Sequence, residues 1–458
     1  MAIATLNPST GEVEKTFSAH SAEEIDALLD RAVAANGILA ETDFAQRATW
    51  MRRSAELLET DADQVAALMA TEMGKTVTAA KAEAVKCVNA MRFYADNAAR
   101  FLADETLADP DVVQASAARV SYQPLGTVLA VMPWNFPFWQ VIRFAAPGLM
   151  AGNTGVLKHA SNVPQCALYL GELFARGGFP EGAFQSVLVG GSEVAGLVDD
   201  PRIAAVTLTG SVGAGRAIAA QAGQNIKKSV LELGGSDAFV VMPSANLAKA
   251  VEVAVRARTQ NSGQSCIAAK RFIVHADVYD DFVAAFTEQM GALVVGDPFD
   301  DDTDLGPLAT EQGRQDVHDL VLDARGLGAT VLTGGDLPAG PGFFYPPTVL
   351  VDLTSEMKIT TEECFGPVAS VFKVDTLDQA IDVANGTEFG LSSNAWSTDP
   401  AEIDELVTRL EAGAVFVNGM TVSFPELPFG GIKSSGYGRE LSAAGIREFC
   451  NVKTIWQA

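Results

Sequence analysis

Ala205-Val206-Thr207-Leu208-Thr209-Gly210-Ser211-Val212-Gly213-Ala214-Gly215 is the stretch on which the fold turns. Its first five residues form a short apolar and β-branched run, the pattern of a buried strand. Small residues follow at once, and residues 213–222 have helical composition. A strand that ends in small residues at the mouth of a helix lets backbone N–H groups approach a phosphate. The spacing is not that of the GxGxxG fingerprint, so by itself this is a weak dinucleotide signal.

The same alternation extends in both directions. Residues 128–132, 155–158, 186–189 and 230–233 read as further buried strands, and 164–176 reads as a helix between them. A second series starts at Asp237-Ala238-Phe239-Val240-Val241. It continues through a helical stretch at 247–258, a strand at 271–274 and a helix near 278–291. Strands alternating with helices predict parallel sheets, here in two doubly wound α/β domains. The partner changes around Gly234-Gly235, which predicts a cleft reached by Glu232 from one side and Cys266 from the other. Ahead of both series, 21–103 is a helical lead-in. Ser21-Ala22-Glu23-Glu24 is its capping box, and Gly74 its one strong breaker. Asn7-Pro8-Ser9-Thr10-Gly11 should reverse an opening strand.

Composition narrows the function. A chain of 458 residues, 48% apolar and 19% charged, has the make-up of an ordinary globular protein with more than one core. The formal net charge of −25 argues against nucleic acid and anionic membrane as partners. Five scattered cysteines form neither a disulfide framework nor a metal-ligand pattern, which fits a reducing, cytoplasmic setting. No signal-peptide pattern or membrane-length apolar run is expected. Asp300-Asp301-Asp302-Thr303-Asp304 superficially imitates a calcium loop. Leu305 stands where the sharp turn needs Gly and Pro307 interrupts it, so a solvated acidic loop and no metal are expected.

Chemistry concentrates at Cys266, in the polar loop Asn261-Ser262-Gly263-Gln264-Ser265-Cys266, a poor core segment. A thiolate adds to an aldehyde to give a thiohemiacetal, and loss of hydride leaves a thioester. The intermediate oxyanion needs a donor, which Asn135 in Pro133-Trp134-Asn135-Phe136-Pro137 can supply. Glu232 is a carboxylate beside a Gly pair, a candidate general base. Lys158 ends a buried-type strand, the edge where open α/β sheets place ligand contacts.

Taken with Thr209-Gly210-Ser211, Glu232-Leu233-Gly234-Gly235, Glu363-Cys364-Phe365-Gly366-Pro367 and Pro428-Phe429-Gly430-Gly431, these motifs run in one order along the chain. In that order they resemble the aldehyde dehydrogenase superfamily. The resemblance implies Cys266 as nucleophile, the Asn135 amide and the Cys266 backbone N–H as oxyanion hole, and Glu232 as the group that activates the hydrolytic water. Members that pass the acyl group to coenzyme A lack this Glu, so a free acid is expected. Trp134, Lys158, Gly210 and Ser211 would meet cofactor ribose and phosphates, and Glu363 and Phe365 the nicotinamide end. Ser161 stands where many NAD-preferring members carry Glu; room for a 2′-phosphate implies NADP preference, with NAD a poorer alternative.

For the substrate, Trp139, Arg143 and Ser423 match the short NADP-preferring succinate-semialdehyde dehydrogenases. Arg143 is expected to meet a distal carboxylate. Gln260 replaces a second Arg that some of these relatives carry. The alternatives are glutarate semialdehyde, an aliphatic aldehyde, or a non-catalytic structural relative. The resemblance further implies a cofactor-binding domain at 1–116 and 132–234 and a catalytic domain at 235–432. It also implies an arm at 117–131 and 433–458 that builds a homodimer or homotetramer.

Overall fold

The structure is a computed structural model that describes residues 2–458. Six strands form one sheet in the order Gly436–Tyr437, Lys228–Glu232, Ile203–Thr209, Thr127–Met132, Thr154–His159, Phe184–Ser186. All are parallel except the first. Thr127–Met132 lies at the centre, with Val128, Leu129 and Ala130 fully buried. The chain leaves this strand to build one side of the sheet and later returns to pair Ile203–Thr209 on the other. That reversal opens a crevice at the carboxyl ends of the strands. The loops holding Asn135, Ser161 and Gly210 all emerge there.

The second sheet has seven strands, in the order Thr330–Thr333, Thr348–Val351, Val368–Val374, Ala269–His275, Asp237–Val241, Ser393–Trp396, Val415–Val417. Only Thr330–Thr333 runs antiparallel. Packed aromatics fill one face, the Phe272 and Phe286 ring centroids lying 4.8 Å apart with their planes tilted by 41°. Cys266 and Glu363 sit in loops that enter two of these strands. The amino edge of this sheet therefore meets the carboxyl edge of the first, and the strand partner changes between Glu232 and Asp237.

The lead-in is four helices, Ala22–Glu41, Phe44–Thr60, Ala62–Met73 and Val77–Phe101. Both hydrogen bonds of the Ser21/Glu24 capping box form. Gly74 ends the third helix at φ +77°. It is not the sole breaker: Asp43 caps the second helix by accepting the Gln46 N–H at 2.7 Å. Such polar caps are weaker sequence signals than Gly.

Only part of the stretch expected to form an arm is a separate ribbon. Ala117–Pro124 pairs antiparallel with Cys450–Gln457 and briefly with Glu105–Thr106. Residues 127–131 belong instead to the central strand, because their apolar side chains are buried in the main core. Gly436–Tyr437 adds to the first sheet, and Ile446 packs into the large helical core. The strand expected at 186–189 lies at Phe184–Ser186, where Phe184 supplies the buried side chain.

Candidate active site

Helix Leu247–Thr259 stops abruptly because Asn261, Ser262 and Gly263 follow in left-handed backbone at φ +54°, +53° and +76°. Arg258, fully buried, ties this crimped loop down. Its guanidinium donates to the carbonyls of Gly263 and Gly366 at 2.7 Å each and of Ala269 at 2.9 Å. A Cβ at Gly263 would stand 2.4 Å from the Gly366 carbonyl oxygen, so only Gly fits both the turn and the contact. Lys270 Nζ donates to the carbonyls of Ser265 at 2.8 Å and Cys266 at 2.6 Å and lies 3.1 Å from the Glu363 carboxylate. Cys266 is thus held by its backbone while its thiol stays half-buried. Burial pushes that thiol up to about 12, and the nearby charges of Arg143 and Lys270 pull it down.

Asn135 faces the loop that carries Cys266. Its side-chain amide donates to the Gln264 carbonyl at 3.1 Å, leaving a second N–H, and its Oδ1 is buried without a partner. Asn261 crosses back to the Asn135 carbonyl at 2.7 Å. The loop itself is pinned by His159. Nε2 donates to the Pro137 carbonyl at 2.9 Å, and Nδ1 accepts the Ala160 N–H at 3.0 Å. Burial lowers this imidazole to about 4, although the Pro137 carbonyl and the Met132 carbonyl, 3.2 Å from Nδ1, oppose the shift. Glu83 accepts the backbone N–H groups of Phe138 and Trp139, each at 2.9 Å, and so caps helix Trp139–Ala151.

Trp134, Asn135, Gly210, Ser211, Cys266, Glu363 and Phe365 line one cavity of about 290 Å³. The Trp134 and Phe365 rings meet edge to face at 5.8 Å. A groove of about 650 Å³ continues from it past Lys158, Ser161 and Asn162. Lys158 is 9% exposed and its ammonium is lowered by burial. Asn162 Nδ2 is a buried donor without a partner. Ser211 caps helix Val212–Gln224, whose N-terminus opens onto the cavity. A free cation, a free amide donor and a helix N-terminus along one groove suit a phosphorylated ligand. Every sequence-predicted cofactor contact lies on these two connected walls.

Glu232 lies deeper, 2% exposed, with neither carboxylate oxygen hydrogen-bonded. Burial raises its pKa well above the carboxylate range, and the neighbouring Glu440 raises it further. It lies against Gly430, whose Cβ, if present, would stand 2.7 Å from Glu232 Oε1.

On the substrate side, Trp139 Nε1 donates to Ser423 Oγ at 2.9 Å, bringing together two of the expected contacts. Arg143 already has partners of its own. Its guanidinium forms a buried ion pair with Glu440, lies 4.6 Å from the Phe429 ring centroid and approaches Thr209 Oγ1 at 3.4 Å. Its charge is paired in this arrangement, its side chain is 2% exposed, and it is close enough to Cys266 for its charge to act on that thiol. Helical spacing put Arg143 on the face of Trp139 but could not show Glu440, which comes from almost the end of the chain.

Sequence reading also missed Arg258, Lys270, His159 and Glu440. The available signal was a charge inside an apolar pattern. Arg258 closes the stripe Ala250, Val251, Ala254, Ala257, and Lys270 stands within the strand run 269–274.

The aldehyde dehydrogenase family model matches residues 1–455. An aldehyde dehydrogenase of Paenarthrobacter nicotinovorans is 61% identical over 456 residues, covering 100% of both chains. The succinate-semialdehyde dehydrogenase (NADP+) 1 of Mycobacterium tuberculosis H37Rv is 61% identical over 458 residues, again covering 100% of both. Among solved structures, that of Gox0499 superposes with a TM-score of 0.97 at 42% identity, covering 100% of each chain. The Streptococcus pyogenes succinic semialdehyde dehydrogenase, in complex with NADP+, gives 0.96 at 37% identity and 99% coverage of each.

Proposed function

From the premise that the chain belongs to the aldehyde dehydrogenase family, we propose that it oxidises succinate semialdehyde to succinate with NADP as preferred acceptor. The carrying observation is that Cys266 and Asn135 line one cavity with Glu363, Phe365 and Trp134, continuous with a groove holding Lys158 and Ser161. The semialdehyde is favoured by the full-length relatives of that name at 61% identity and by the Trp139–Ser423 contact.

Lys158, Ser161, Asn162 and the helix N-terminus at Ser211 would hold the cofactor's ribose and phosphates, and Glu363 its nicotinamide end. NADP, when bound, supplies the hydride acceptor. The Cys266 thiol gives its proton to solvent water, its sulfur adds to the aldehyde carbon, and the carbonyl π electrons move to oxygen. The free Asn135 N–H and the Cys266 backbone N–H receive that oxyanion. The acyl group left on sulfur after oxidation is a thioester. Glu232, turned from Gly430 toward it and ionised, takes a proton from water as water adds. The C–S bond then breaks, freeing the acid and the thiol.

Lys270, Arg258, His159 and Glu83 act on position alone. Cys450–Gln457 is an edge strand with Val452 60% and Trp456 50% exposed, which supports assembly of identical chains through this arm. No described helix is long and apolar enough to cross a membrane. That and the unpaired cysteines favour the cytoplasm.

The test is a panel of succinate semialdehyde, glutarate semialdehyde and butanal, each assayed with NADP and NAD. Highest kcat/KM with succinate semialdehyde and NADP is expected. Preference for butanal, or for NAD, would overturn the corresponding half of the proposal.

A further inference from the structure

Two buried cations bridge the loop that carries Cys266 and the loop that carries Glu363. Arg258 joins the two through the carbonyls of Gly263 and Gly366. Lys270 joins them at Cys266 and Glu363 themselves. Its ammonium lies 2.8 Å from the Ser265 carbonyl, 2.6 Å from the Cys266 carbonyl and 3.1 Å from Glu363 Oε1. It belongs to strand Ala269–His275, and its side chain is 3% exposed. A buried ammonium is costly unless oxygens surround it, and here three do, one for each of its hydrogens. Lys270 therefore has no free hydrogen with which to meet a substrate.

Glu363 is fixed through one oxygen. Oε1 accepts the Gly235 N–H at 3.1 Å and faces Lys270. A Cβ on Gly234 would stand 2.5 Å from Oε2, so the carboxylate packs against the Gly234-Gly235 backbone. Among the described residues none donates a hydrogen bond to Oε2. The side chain is 20% exposed, and the residue lines both the cavity beside Cys266 and the groove past Lys158. One oxygen is spent on holding the carboxylate, and the other is open as an acceptor.

We infer that Lys270 is a positioning residue that couples Glu363 to the Cys266 backbone, and so sets the spacing between the bound cofactor and the reacting sulfur. This rests on Glu363 being a cofactor contact, as proposed above. Without Lys270 the two loops would stay joined by Arg258, but Glu363 would keep only the Gly235 N–H. A misplacement of about 1 Å between reacting groups can cost about 10²-fold in rate.

The test measures the NADP dissociation constant by fluorescence titration in the wild-type protein, Lys270→Met, Glu363→Gln and the double variant. Each single variant should weaken NADP binding about tenfold. The double variant should lose no more than about twofold beyond Glu363→Gln, because Lys270 acts on the cofactor through Glu363. At saturating NADP, the first-turnover rate of Lys270→Met on succinate semialdehyde should fall about 10- to 100-fold and be slowed further by deuterium at the aldehyde carbon. Lys270→Gln keeps N–H donors for the two carbonyls and loses only the charge facing Glu363. It should show the loss of NADP affinity with less of the loss in rate, and it carries the test if Lys270→Met does not fold. Additive losses in the double variant, or an unchanged first-turnover rate at saturating NADP, overturn the coupling. If Glu363→Gln binds NADP as tightly as wild type, the cofactor role of Glu363 falls and the coupling falls with it.

Discussion

Arg143 and Glu440 form a buried ion pair, their side chains 2% and 4% exposed, close to the buried Glu232. The pair brings helix Trp139–Ala151 against the segment before the final helix. It also sets the field around Glu232, since Arg143 favours its ionised form and Glu440 opposes it.

Arg143→Ala should cost about 3 kcal/mol of stability, because Glu440 is left as an unpaired buried carboxyl. The loss should be smaller at pH 6 than at pH 8, since Glu440 can then take up a proton more cheaply. Turnover of succinate semialdehyde and butanal should fall alike. Thermal melts at both pH values and steady-state kinetics check this; a selective rise in KM for the semialdehyde would return Arg143 to the substrate site.

Glu232→Gln should uncouple the two halves of the reaction. A pre-steady-state burst approaching one NADPH per site, followed by turnover slowed about 10²- to 10⁴-fold, is expected from loss of the general base. Absence of a burst would place Glu232 before thioester formation.

The same substitution should stabilise the fold at higher pH. The pKa of Glu232 is raised in the folded state, so stability is lost as pH rises above the unfolded carboxyl value and toward the folded one. Gln carries no such penalty. The Tm difference between Glu232→Gln and wild type should be near zero at pH 4 and positive at pH 8. A constant difference would mean the carboxyl is not held protonated.

Cys266→Ala should abolish oxidation while leaving NADP binding intact, measured by fluorescence titration. In the wild-type protein without cofactor, the thiol raised to about 12 is almost wholly protonated at neutral pH. Iodoacetamide labelling of Cys266 should therefore accelerate about tenfold per pH unit from pH 7 to 10. A plateau near pH 8 would show a thiolate already formed at rest.

Ser161→Glu should lower kcat/KM for NADP by at least about tenfold and spare NAD, because a carboxylate would face the 2′-phosphate across the Lys158 groove. Equal effects on both cofactors would remove Ser161 from the ribose site.

Much of this was legible in the chain itself. Strand-then-helix alternation from residue 128 to 291 dictated two α/β layers, because a parallel sheet needs apolar strands separated by crossover helices. Gly263-Gln264-Ser265-Cys266 and Pro133-Trp134-Asn135 could be read as chemistry because both are local: a polar thiol loop and a proline-framed amide. What the tertiary structure alone decided is which charges are already spent. Arg143 looked free until Glu440 arrived from 297 residues further along. Hydrophobic periodicity reports which face of an element is buried. It carries no information on which ion pairs form between elements distant in sequence, because that depends on where the folded backbone brings each charge.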